Sequence, residues 1–376
     1  MFGGQKSKLH NLGSAGQSVW LDSISREMLQ SGDLQRYVEA GIRGLTSNPT
    51  IFAKAMRAGD SYDAQIRELA DRSADVDEIY AAVVTRDIQQ ACDVMEPVYT
   101  GSGGTDGFVS VEVSPELAHE ADGTLAEAGD WVKRVNRPNL LIKIPATREG
   151  IGAIGSAIAE GISVNVTLIF SLERYMAVMD AYLDGLERYQ QAGGNPSGVN
   201  SVASFFVSRF DTEVDARLSR VGTSAAAALA GRAAVANARV AYLRFLQTFS
   251  SDRWARLRRQ GANLQKPLWA STSTKNPAYS DTLYIDTLVA PETVNTLPES
   301  AIQAYQEQGR SRPEMMGINQ MMDGVIVLEN LASVGIEYDD VAALLEKKGV
   351  DSFAASFREM ISDIEQKRAA IMPGPS

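Results

Sequence analysis

Residues 139–147 read NLLIKIPAT, and their interpretation decides the fold. Leu140, Leu141, Ile142 and Ile144 form a short apolar run closed by Pro145, the length and composition of a strand buried in a parallel sheet. Lys143 stands in the middle of it. Lysine is almost never buried without a reason. Either its side chain snorkels to an edge, or the fold places an amine where chemistry needs one.

Similar runs recur along the chain. Strands are predicted at 18–24, 42–48, 107–113, 140–146, 163–170, 201–208, 266–272 and 284–290. Helix-period segments separate them, at 76–98, 171–191, 211–221, 224–260 and 350–370. Eight strands alternating with helices is the count of a (β/α)8 TIM barrel with additional helices, expected here over residues 18–371. Residues 1–17 and 372–376 read as mobile tails. Polar residues fall within or near the ends of the predicted strands: Asp22, Asn48, Glu112, Lys143, Asn165, Thr167 and Ser204. In barrel enzymes the reacting groups gather at the C-terminal strand ends.

Composition sets limits on function. The chain has 376 residues, 44% hydrophobic and 22% charged, with a net charge of −11. Such an acidic balance argues against non-specific binding to nucleic acid or to an anionic membrane. An anionic substrate must therefore be met by a few local cations. The single cysteine, Cys92, cannot form an intrachain disulfide, which fits a reducing, cytoplasmic setting. The first residues lack the apolar core of a signal peptide, and Glu160, Gly161 and Asn165 break up the apolar stretch 151–170. Two histidines, His10 and His119, are too few for a histidine metal site, and no metal is expected. The glycine-rich TGSGGTDG at 100–107 precedes a strand and lacks a phosphate-loop ending, so it reads as a connector.

An interior lysine escapes the cost of burial by shedding its proton, and a free amine attacks a carbonyl carbon to form a Schiff base. Carboxylates can move the protons that such chemistry requires. Asp22 in WLDS and Glu112 in VSVEV each occupy the polar slot of an alternating strand. The plainer alternatives are a cap, a surface charge, or an ion pair with the lysine. Asn165 and Thr167, two apart, share one face of a strand. Their glycosylation sequon calls for an exposed loop in a secreted protein and is rejected. Asn48 precedes a proline, which biases it toward extended geometry. Ser204 and Phe206 share a face before Arg209, whose planar fork suits phosphate unless it pairs with Asp211 or Glu213. Phe206 has no proton to transfer. Ser271 and Lys275 follow the next strand and suit phosphate too.

Together GLTSNPTIF, NLLIKIPATREGIGAI, EGISVNVTLIFS and VASFFVSRFDTEVD resemble the transaldolases, in their longer bacterial subfamily, across most of the chain. The resemblance implies a cofactor-free barrel enzyme that moves a dihydroxyacetone unit between sugar phosphates of the pentose phosphate pathway. By that resemblance Lys143 forms the Schiff base and Asp22 handles the hydroxyl proton during cleavage. Glu112, with a water held by Thr167, assists imine formation. Asn48, Asn165 and Ser204 hold hydroxyls, Phe206 lines the site, and Arg209 and Ser271 bind phosphate. Where the family commonly reads Ser-Phe-Arg after the seventh strand, this chain reads STSTK, so Lys275 is carried as the second phosphate cation. A fructose-6-phosphate-type aldolase and a non-catalytic sugar-phosphate binder are the alternatives, and the chain is expected to be a monomer or homodimer.

Overall fold

The computed structural model describes residues 7–371. Eight parallel strands close into a barrel in chain order. They are β1 (Gln17–Leu21), β2 (Gly44–Leu45), β3 (Val109–Glu112), β4 (Leu140–Pro145), β5 (Val164–Ile169), β6 (Ser201–Phe206), β7 (Gln265–Ala270) and β8 (Thr293–Leu297). The barrel shuts where β1 pairs with β8, Leu21 opposite Leu297. On β4, alternation puts Ile142 and Ile144 on one face and Leu141 and Lys143 on the other. All four are buried. β1 and β2 approach closely because position 44 is glycine. A Cβ there would lie 2.5 Å from the Trp20 ring.

Seven strands lie within a few residues of their expected places. The eighth does not. The sequence pattern predicts a strand at 284–290, yet this segment holds most of the short helix Leu283–Asp286 and a buried connector, and β8 lies further on. A short apolar run satisfies either period, whereas TVNTL is polar enough to pass for a loop. Residues 224–260 break into three helices, Ser224–Ala227, Ala233–Thr248 and Asp252–Arg259.

The amino-terminal reading also needs correction. Residues 7–17 are not a loose tail. Ser7 caps the helix Lys8–Ser14, and Leu9 and Leu12, one turn apart, are fully buried. Gln17 already belongs to β1. Residues 1–6 and the expected tail 372–376 lie outside the described residues.

The helix Tyr338–Ile371 is longer than the predicted 350–370. It packs against the helices Pro49–Arg57, Asp63–Asp71, Val76–Gly101 and Ser208–Val221, and reaches the end of β5. There β5 is irregular, with a register shift between Val166 and Ile169 and Leu168 in the left-handed region at φ 58°. Gly349 of the long helix fits against it, since a Cβ at 349 would lie 2.9 Å from Leu168. That contact sets the helix across the C-terminal mouth of the barrel. No helix among the described residues is long and apolar enough to cross a membrane.

Candidate active site

Lys143 resolves the opening question by pointing inward. Its Nζ lies 3.5 Å from Glu112 Oε2 and donates to the Ser47 carbonyl at 3.1 Å. The Phe353 ring, from the long C-terminal helix, sits 5.9 Å from the same nitrogen. Only 5% of Lys143 and 6% of Glu112 is exposed. Strand register brings these groups together: Glu112 pairs with Lys143 across β3 and β4, and Lys143 with Asn165 across β4 and β5.

Burial pushes the Glu112 carboxyl up from its ordinary 4.5 to about 7. The Lys143 charge and hydrogen bond oppose that rise, and the Asp22 charge adds to it. The folded chain thus holds the Glu112 proton more tightly than the unfolded chain does. Its contribution to stability is lost as pH rises from about 4.5 through about 7. The melting-temperature difference between wild type and Glu112→Gln should therefore move against the wild type from pH 5 to pH 8. Any constant offset from leaving Lys143 unpaired does not alter this direction. Scanning calorimetry of both proteins across that range provides the check.

Asp22 stands just past β1, its backbone N–H bonded to Leu297 O. Its Oδ1 accepts from Thr46 Oγ1 at 2.6 Å. Asn48 caps the helix Pro49–Arg57 through Oδ1, which accepts from Ile51 N at 2.9 Å, so its amide NH2 is the part left for a ligand. Asn165 is held at both ends, donating to Ser110 Oγ at 3.0 Å and accepting from Ser204 Oγ at 2.7 Å. Thr167 Oγ1 is buried without a hydrogen bond, and Glu112 Oε2 has only the long 3.5 Å contact with Lys143 Nζ. An unpaired buried polar atom costs about 1–3 kcal/mol. The Thr167 hydroxyl on β5 and the loosely held Glu112 oxygen on β3, on the strands either side of Lys143, suit a water or a sugar hydroxyl.

Arg209 lies in the first turn of the helix Ser208–Val221. The expected rivals for its charge are engaged elsewhere. Asp211 accepts from Ala234 N and Tyr284 OH, and Glu213 pairs with Arg217 and Lys348. Among the described residues the Arg209 guanidinium has no carboxylate partner within salt-bridge distance. It lies 5.2 Å over the Phe206 ring, which in turn packs on Phe170. Burial lowers its pKa, with the Asp22 charge acting the other way. The Asp22 charge thus bears on both Glu112 and Arg209. Ser271, at φ 55°, shares a 3.0 Å hydrogen bond with Ser208 at the start of the same helix. Lys275 is exposed on the loop after β7, with its Nζ bonded to Ser273.

Sequence reasoning missed Ser47, Ser110, Thr46, Thr296 and Phe353. Ser47 acts through its backbone carbonyl, which no side-chain pattern reveals. Phe353 arrives from a helix 210 positions beyond Lys143.

A family model described as transaldolase/fructose-6-phosphate aldolase matches residues 19–364. The chain belongs to this family. It is 51% identical to a transaldolase of Mycobacterium tuberculosis over 361 residues, 96% of each chain. It is 50% identical to a Mycobacterium ulcerans transaldolase over 369 residues, 98% of this chain and 99% of the relative. Identity to a transaldolase of Mycolicibacterium smegmatis is also 50%, over 95% of this chain. The barrel expected from the family resemblance is the one observed.

Proposed function

We propose that this chain is a transaldolase of the cytoplasmic, non-oxidative pentose phosphate pathway, working without a cofactor. It moves a dihydroxyacetone unit from sedoheptulose 7-phosphate or fructose 6-phosphate to glyceraldehyde 3-phosphate or erythrose 4-phosphate. The observation that carries this reading is the inward Lys143 amine, 3.5 Å from a carboxyl held near neutrality.

The amine must give up a proton before it attacks, and Glu112 is placed to take it. Nζ then adds to the keto carbon of the donor, and loss of water gives an iminium. Glu112, beside that nitrogen, and the Thr167 hydroxyl on the adjacent strand supply the proton transfers of dehydration. Asp22 next accepts the proton of the C4 hydroxyl while the C3–C4 bond breaks. The electron pair of that bond moves into the iminium and leaves an enamine, and the shortened aldose phosphate departs. The acceptor aldehyde enters, the enamine carbon attacks it, and hydrolysis frees Lys143. Asn48, Asn165 and Ser204 align the hydroxyls. Arg209, stacked on Phe206, receives the phosphate, Ser271 adds a neutral donor, and Lys275 can reach the phosphate only from outside the buried cluster.

Arg209→Ala should raise KM for fructose 6-phosphate about a hundredfold, the worth of a charge-assisted bidentate contact of roughly 3 kcal/mol. Steady-state kinetics with a phosphorylated and an unphosphorylated ketose would show whether the loss is confined to the phosphate.

The family also contains aldolases that release free dihydroxyacetone. Hydrolysis of the enamine needs a group to protonate it, and position 206 offers only an apolar ring. Fructose 6-phosphate with erythrose 4-phosphate should give sedoheptulose 7-phosphate, with dihydroxyacetone released far more slowly. Release as fast as transfer would make the aldolase reading the correct one.

A further inference from the structure

We propose that Thr296, on β8, positions the Asp22 carboxylate through Thr46, and that this hydroxyl pair sets the rate of carbon–carbon cleavage. The proposal rests on the reading of Asp22 as the proton acceptor. Three neighbouring strands meet here across the closure of the barrel. Asp22 follows β1, Thr46 follows β2 with its N–H on Leu21 O, and Thr296 lies in β8. Thr46 Oγ1 is 2.6 Å from Asp22 Oδ1 and 2.8 Å from Thr296 Oγ1.

The direction of this chain is fixed by counting protons. A carboxylate only accepts, so the single Thr46 hydroxyl proton goes to Asp22. The Thr46 oxygen must then accept from Thr296, which spends its own proton there. Both threonines are buried, and Thr46 is the one side-chain hydrogen bond that Asp22 makes among the described residues. Rotation about the last side-chain bond of aspartate is broad and roughly two-fold. A single hydrogen bond therefore decides which way the carboxylate faces, and Thr296 decides which way that hydroxyl faces. Neither threonine touches Lys143 or Glu112 in the described contacts, so both are positioning residues.

The test uses the full-length protein and the variants Thr46→Val, Thr296→Val, the double variant and Thr296→Ser. Each is mixed with fructose 6-phosphate, quenched with borohydride and weighed by mass spectrometry. The reduced six-carbon phosphate adduct marks imine formed before cleavage, and the three-carbon adduct marks cleavage completed. Thr46→Val is expected to lower kcat about thirtyfold and Thr296→Val about fivefold, with KM nearly unchanged. In both, the six-carbon adduct should accumulate. Because Thr296 acts through Thr46, the double variant should be no slower than Thr46→Val by more than about twofold. Thr296→Ser should restore the wild-type ratio of adducts. Losses that multiply in the double variant, or that leave the adduct ratio unmoved, would overturn the proposal. If valine at 296 prevents folding, Thr296→Ala carries the same comparison. Absence of any adduct in the unaltered protein would instead sink the Schiff-base reading itself.

Discussion

Lys143→Ala is expected to lower transfer by more than about ten-thousandfold while leaving the fold intact. The amine is both nucleophile and electron sink, and no neighbouring group replaces either role. Removing one partner of a buried ion pair ordinarily leaves a costly lone charge. Here the remaining partner is Glu112, already held at about 7 by burial, with Lys143 the main influence pulling it down. Without that influence its pKa rises further, so at neutral pH Glu112 stays protonated and uncharged. The variant should therefore melt within a few degrees of wild type near pH 6. It should lose relatively more stability than wild type as pH rises above 7. Coupled enzyme assays and calorimetry on the same preparation separate the two effects.

Asp22→Asn should cost between about a hundredfold and ten-thousandfold in kcat, the range for losing a positioned general base. Asparagine keeps an oxygen for Thr46 and the same volume, so binding and imine formation survive. The block falls on the step in which the C4 hydroxyl gives up its proton. Under borohydride the variant should yield the six-carbon adduct and almost none of the three-carbon one. Since the Asp22 charge adds to the upward shift of Glu112, the variant should also show its Glu112-dependent ionisation at a lower pH. A pH profile of single-turnover imine formation would reveal that displacement.

How much of this was legible beforehand follows from what a single sequence can encode. Local pattern marked Lys143, because a cation inside an apolar run breaks a rule visible within nine residues, but it left open whether the side chain turns to an edge or inward. It also marked Glu112, Asn165 and Thr167, each a polar exception on a strand and each buried in the structure. It failed at β8, where the apolar run 284–290 outcompetes the threonine-rich Thr293–Leu297, which is buried only because neighbouring strands enclose it. It failed again at residues 7–17, where two leucines become core only once the helix Lys8–Ser14 docks. Contacts made by barrel closure were out of reach altogether. Thr46 and Thr296 are 250 positions apart, and nothing local announces their meeting. The backbone carbonyl of Ser47 carries no sequence signature at all. At Lys275 the residue type suggests phosphate, but the side chain is exposed on the loop after β7 with its Nζ on Ser273, a placement that no local pattern fixes.

One experiment bears directly on the inward amine. Protein incubated with fructose 6-phosphate and reduced with borohydride should gain the mass of a sugar-derived adduct, and peptide mapping should place it on Lys143. Lys143→Ala under the same treatment should gain nothing. An adduct that persists in the variant, or that maps to another lysine, would contradict the assignment of Lys143 as the Schiff-base residue.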